Sequence, residues 1–146
     1  MISTVDKATR VYVIDDEPLD NIIFKMLLKR VNSKIQVDAI NDGRNAINKL
    51  IQMCKTKPEG LPDYIFLDLN MPGMNGWDFL AEFKRFGINQ YKKIHINILS
   101  SSVYWEDINK SLSNPLVEHF FNKPINLENM KSIFRADGFA GNLSIV

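Results

Sequence analysis

Short apolar runs, each closing on a polar residue, alternate with stretches of helical spacing along almost the whole chain. Val11-Tyr12-Val13-Ile14 is rich in β-branched residues and stops at Asp15-Asp16-Glu17-Pro18, which predicts a strand, a loop and a helix start. Asp16 suits a cap, the acidic side chains suit the positive end of the helix dipole, and Pro18 fits the first turn. Leu19, Ile22, Ile23, Met26, Leu27 and Val31 then repeat with helical spacing and predict the buried stripe of the first helix.

The unit recurs four times. Residues 35–40 predict a second strand, and Asn41-Asp42-Gly43 a turn. Ala46, Ile47, Leu50, Ile51 and Cys54 mark a second helix, ended by Pro58, Gly60 and Pro62. Tyr64-Ile65-Phe66-Leu67 shows no polar alternation, so a strand there is buried on both faces. It runs through Asp68 into a loop dense in breakers, after which Trp77, Leu80, Phe83 and Phe86 mark a third helix. Residues 94–99 give a fourth strand ending at Ser100-Ser101-Ser102, and residues 104–112 a more polar fourth helix. Residues 118–122 give a short fifth strand closed by Lys123-Pro124, and Asn126 begins a fifth helix carrying Leu127, Met130, Ile133 and Phe134. Five strands alternating with five helices predict an α/β domain with a parallel sheet and, through right-handed crossovers, helices on both faces.

Composition removes several classes. The 146 residues suit one domain, and 45% of them are apolar, enough for a core without covalent staples. A net charge of +1 gives no footprint for nucleic acid or an anionic membrane. No apolar run approaches the ~20 residues of a membrane span, and the first ten residues lack a signal peptide's apolar stretch. A single cysteine, Cys54, forms no internal disulfide and no cysteine-built zinc site; the composition fits a reducing, cytoplasmic compartment.

In an open parallel sheet, ligands bind beyond the carboxyl ends of the strands. Those ends carry Asp15 and Asp16, Asp68, Ser100 and Lys123; Asn41-Asp42 falls outside the crevice if the second strand is an edge. Carboxylates gathered in one pocket repel each other by ~1 kcal/mol per pair at 4 Å in water, and by more when water is partly excluded. A hard divalent cation with oxygen ligands, Mg²⁺ above all, repays that repulsion, and no His or Cys is placed to favour a softer metal. Lys123 adds an ammonium and Ser100 a hydroxyl for phosphoryl oxygens. Carboxylate, Mg²⁺, ammonium and hydroxyl together are a kit for phosphoryl transfer, with an aspartyl phosphate as product when a carboxylate is the nucleophile.

The sequence resembles the receiver domain of two-component response regulators, in particular the stand-alone, chemotaxis-regulator-like kind. The matching blocks are Val11-Tyr12-Val13-Ile14-Asp15-Asp16-Glu17, Leu67-Asp68-Leu69-Asn70-Met71-Pro72-Gly73-Met74-Asn75-Gly76, Ile98-Leu99-Ser100-Ser101-Ser102 and Phe120-Phe121-Asn122-Lys123-Pro124, in that order. The resemblance covers residues 9–136, leaving 1–8 as an N-terminal extension and 137–146 as a C-terminal tail. It implies a flavodoxin-like, doubly wound sheet of strand order 2-1-3-4-5. Asp68 matches the phosphoacceptor, and Asp16 and the main-chain carbonyl of Asn70 match direct Mg²⁺ ligands; Asp15 matches the acidic partner acting through water. Lys123 matches the lysine that pairs with the phosphoryl group, and Pro124 the proline preceded by a cis bond. Ser100 matches the hydroxyl residue that moves toward the phosphoryl group, and Phe120 the aromatic switch, here without a hydroxyl.

The resemblance further implies a two-state switch, charged by a sensor histidine kinase or a histidine phosphotransfer protein and read by a downstream protein at the face of the fourth helix, fifth strand and fifth helix. Helices four and five are also where a homodimer would form. Tyr104 and Trp105, aromatic residues at the start of the polar fourth helix, suit a partner contact, with anchoring of the loop as the plainer alternative. A phosphohydrolase would need an acid/base carboxylate just after the nucleophile, where this chain has Asn70, so no turnover is expected beyond the protein's own phosphorylation and dephosphorylation. A flavin protein of similar architecture would need a phosphate-cradling loop where this chain places negative charge. The remaining alternative is a receiver-like binding module that takes no phosphate.

Overall fold

A computed structural model describes residues 8–136. The tail 137–146 and residues 1–7 of the extension lie outside the described residues. Strands β1 (Arg10–Ile14), β2 (Gln36–Ile40), β3 (Tyr64–Leu67), β4 (His95–Ser100) and β5 (Val117–Asn122) alternate with helices α1 (Pro18–Val31), α2 (Gly43–Thr56), α3 (Gly76–Arg85), α4 (Trp105–Ser113) and α5 (Leu127–Ala136). The sheet order is β2-β1-β3-β4-β5 and every pairing is parallel, the flavodoxin-like arrangement.

Side-chain alternation along the central strands explains their continuous apolar sequence. Val11 and Val13 of β1, with Tyr64 and Phe66 of β3, point into a core closed by Phe24 and Leu28 of α1 and by Met130, Ile133 and Phe134 of α5. Tyr12, Ile14, Ile65, Leu67, Ile96 and Ile98 point the other way, onto Ile47 and Leu50 of α2 and Phe79, Leu80 and Phe83 of α3. α4 lies against β5, and its Lys110 ammonium sits 4.4 Å from the centre of the Trp77 ring of α3. The edge strand β2 leaves Asp42 outside the crevice, where its carboxylate caps α2 by accepting from the Asn45 N–H. At the other edge the register shifts between Ile96 and Asn97 against β5.

Two expectations for α1 fail. Of the predicted stripe, Leu27 and Val31 pack partly buried on the core beside Phe24 and Leu28, while Leu19, Ile22, Ile23 and Met26 are exposed; the buried residues are Asn21, Phe24 and Leu28. The helix is apolar over most of its circumference, so the larger stripe and the inward stripe differ. Asp16 does not cap it either: Glu17 stands at the cap position, and no side chain accepts a cap hydrogen bond. The Asp16 carboxylate is instead turned toward those of Asp15 and Asp68. At the end of α3, Phe86 is exposed rather than part of the stripe, which Phe79 fills.

Candidate functional site

The carboxyl end of β1 is fixed to those of β3 and β2 by the ladder's last bonds. The Asp68 N–H donates to the Ile14 carbonyl (2.9 Å) and the Asp15 N–H to the Ile40 carbonyl (3.1 Å). From the other side, the Lys123 N–H donates to the Ser100 carbonyl (2.9 Å), which brings the end of β5 beside that of β4. Carboxylate oxygens of Asp15, Asp16 and Asp68 thereby fall within 4.8 Å of one another. Asp15 and Asp68 are buried and Asp16 is half-buried.

Lys123 closes the pocket. Its Nζ lies 2.6 Å from Asp15 Oδ2, 3.0 Å from Asp20 Oδ2 and 3.6 Å from Asp68 Oδ2. The Lys123–Pro124 peptide is cis. Burial works against the ammonium, but the surrounding carboxylates outweigh it, and the Lys123 pKa lies above its ordinary value. Burial pushes the Asp68 carboxyl up to about 6; Lys123 pulls it down, while Asp15 pushes it further up. One ammonium does not balance this cluster. The donor set is all hard oxygen from convergent carboxylates, which fits a hard divalent cation.

The loop after Asp68 is shaped by close backbone approach. Asn70 is exposed, and its N–H donates to Asp68 Oδ1 (3.3 Å). Gly76, the first residue of α3, donates to the Leu69 carbonyl; a Cβ there would meet the Asp68 carbonyl oxygen at 2.7 Å and Leu69 Cα at 2.8 Å. Only glycine lets the helix start so near the end of β3 and Asp68. Asn75 and Asp78 then form a capping box that fixes the turn.

Ser100 is fully buried and its Oγ accepts from the Ser102 N–H (3.1 Å). Ser102 Oγ donates to Asp107 Oδ2 (2.6 Å), and Asn122 Nδ2 donates to the Ser102 carbonyl (2.8 Å), so the loop leading to α4 is tied to both α4 and β5. Phe120 is half-buried against the α2/α3-side core, and Phe121 packs on the opposite core. Tyr104 and Trp105 are 69% and 68% exposed. Neither histidine joins the site: His95 Nδ1 pairs with Glu118 Oε2 (2.7 Å), and His119 Nδ1 bonds Asn97 Oδ1 (3.0 Å). Cys54 is buried. Asp20 is the contact that sequence reasoning missed. An acidic residue in a first helical turn reads as a dipole partner, and only the fold brings it to Lys123.

The profile of the response regulator receiver domain matches residues 11–135. The chain belongs to the response regulator receiver family. Among its relatives, the two-component response regulator ORR4 of Oryza sativa subsp. indica is 32% identical over 90% of this chain and 61% of that protein. The protein-glutamate methylesterase/protein-glutamine glutaminase of Treponema denticola is 42% identical over 63% of this chain and 22% of that protein. The chain therefore spans less than two thirds of either relative. A two-component response regulator from Cytophaga hutchinsonii superposes with a TM-score of 0.79 at 26% identity, covering 89% of this chain and 96% of that one. The phosphorylated cyanobacterial phytochrome response regulator RcpA superposes at 0.73 with 25% identity, covering 94% and 98%. Among the described residues no helix of this receiver domain is long and apolar enough to cross a membrane.

Proposed function

We propose that the protein accepts one phosphoryl group on Asp68 from a histidine kinase or histidine phosphotransfer protein and passes the event on by a change of conformation. The meeting of three carboxylates and the Lys123 ammonium at one pocket carries this reading. The phosphorylated form of the relative RcpA supports it. An Asp68 carboxylate oxygen attacks phosphorus, the P–N bond to the donor imidazole breaks with its electron pair left on nitrogen, and an acyl phosphate forms. Asp68 attacks as the anion, the main form above its pKa of about 6. Asp16, Asp68 and the Asn70 carbonyl would hold Mg²⁺ directly and Asp15 through water; the ion supplies neutralisation of phosphoryl charge. Lys123 then pairs with the phosphoryl group, and the Ser100 hydroxyl turns from Ser102 to donate to it.

No acid/base side chain stands at position 70, so the protein turns over only its own aspartyl phosphate. In this reading a downstream protein or a second copy docks on the face of α4, β5 and α5; the exposure of Tyr104 and Trp105 there supports it. The compartment that goes with this reading is the cytoplasm. Mass measurement after incubation with acetyl phosphate and Mg²⁺ tests it: one phosphoryl group on the wild type, none on Asp68→Asn. Label on the variant would remove Asp68 from its role, and an unlabelled wild type would favour a phosphate-independent binding module.

A further inference from the structure

We infer that Asp20 is a positioning residue for Lys123: its carboxylate holds the ammonium in a resting place toward α1 and yields it to the incoming phosphoryl group. This rests on the phosphoacceptor reading above. An ammonium has three donors. In this pocket three carboxylates surround it, at 2.6 Å (Asp15), 3.0 Å (Asp20) and 3.6 Å (Asp68). Only Asp15 and Asp20 lie within hydrogen-bond distance, so an ammonium drawn toward a phosphoryl group on Asp68 loosens one of those two.

Accessibility decides which one. The side chains of Asp15 and Asp68 are 3% and 6% exposed, and that of Asp20 is 40% exposed. Asp15 is also held by the Glu17 N–H, and Asp68 by the Asn70 N–H. Asp20 has neither constraint, and its carboxylate turns into water at little desolvation cost. It is thus the exchangeable partner. It also places a further negative charge beside the pocket that a phosphodonor dianion must enter. Both effects act in one direction: Asp20 weakens the hold on a phosphoryl-like anion until Lys123 leaves it. A carboxylate that served only the α1 dipole would affect helix stability slightly and leave anion binding alone.

The test compares Asp20→Asn, Asp20→Ala and Asp20→Glu with the wild type. Two readouts are the half-saturating acetyl phosphate concentration for labelling Asp68, and the beryllofluoride affinity in the presence of Mg²⁺. Removal of the charge is expected to lower the half-saturating concentration and tighten beryllofluoride binding by about threefold or more. The maximal labelling rate should stay within about twofold, and Asp20→Glu should return toward wild type. Thermal melts establish that each variant is folded, and the alanine variant carries the test if the asparagine variant is not. Unchanged or weakened anion binding in folded Asp20→Asn or Asp20→Ala overturns the inference while leaving the phosphoacceptor reading intact. A wild type that takes no label, by contrast, removes the reading itself.

Discussion

Asp68 is buried where water hardly reaches, and the proposed chemistry needs its carboxylate there. Burial raises its pKa from 3.8 to about 6, even with Lys123 close by. A carboxyl whose folded pKa exceeds its unfolded value destabilises the folded state once ionised. That penalty is absent below about pH 4, grows between about pH 4 and 6, and is complete at neutrality. With a chelator present, Asp68→Asn is therefore expected to be more stable than the wild type at pH 7 by about 2–3 kcal/mol. The gap should shrink as pH falls through 6 toward 4. Thermal melts of both proteins across that range check it, and a gap independent of pH would mean that Asp68 ionisation is not its source. At this scale the sequence was informative because strand ends are few and each carries a distinct functional group. Asp20 escaped because its meaning depends on Lys123, distant in sequence and adjacent only once the sheet has formed.

Elements were legible to the degree that burial was two-sided. β1 and β3 are closed on both faces, so their runs read plainly as strands. α1 misled because it is apolar on the wet side too. Asn21, Phe24 and Leu28 face inward with ordinary helical spacing, yet the bulkier set Leu19, Ile22, Ile23 and Met26 faces out. At Ile23 that exposed surface reaches the edge of the carboxylate pocket. Ile23 lines a cavity of about 380 Å³ shared with Asp20, Phe24, Leu99, Lys123 and Ile125. Under the proposed function, a donor imidazole would reach Asp68 on a protein whose own surface rests on this rim, and α1 would offer it apolar ground. Ile22→Gln together with Met26→Gln leaves net charge unchanged and alters only exposed positions, so stability should move by no more than about 0.5 kcal/mol per site. Phosphotransfer from a phosphorylated phosphotransfer protein that labels the wild type should slow about tenfold, with labelling by acetyl phosphate unchanged. Equal slowing with both donors would place the effect in the pocket rather than in docking.

Across the whole molecule, the proposed switch would run from Asp68 to the α4 face through the Ser100 hydroxyl and a short tied loop. The strand order came from the resemblance to receiver domains, whereas the parallel α/β class itself was legible from the alternation of strands and helices. The relay was not, since Ser100, Ser102, Asp107 and Asn122 are common polar residues whose connections appear only in the folded loop. A buried Ser100 Oγ that accepts from the Ser102 N–H has to give up that bond when it turns toward a phosphoryl oxygen. In the proposed switch the Ser102 backbone would then be free to move, and its ties to Asp107 and Asn122 would carry the movement into the start of α4 and along β5. Trp105, the first residue of α4 and largely exposed, lies at the end of this path. Beryllofluoride with Mg²⁺ should therefore change Trp105 emission, and Trp105→Phe should remove that change while leaving any Trp77 signal. Ser100→Ala keeps the carboxylates and Lys123, so Asp68 should still take phosphate, but roughly half or more of the Trp105 response should be lost. The alanine variant also leaves the buried Ser102 N–H without its acceptor, a loss of about 1–3 kcal/mol that melts would register separately. A full Trp105 response in a labelled, folded Ser100→Ala protein would show that the pocket speaks to α4 by another path, with the half-buried Phe120 beside it the next position to change.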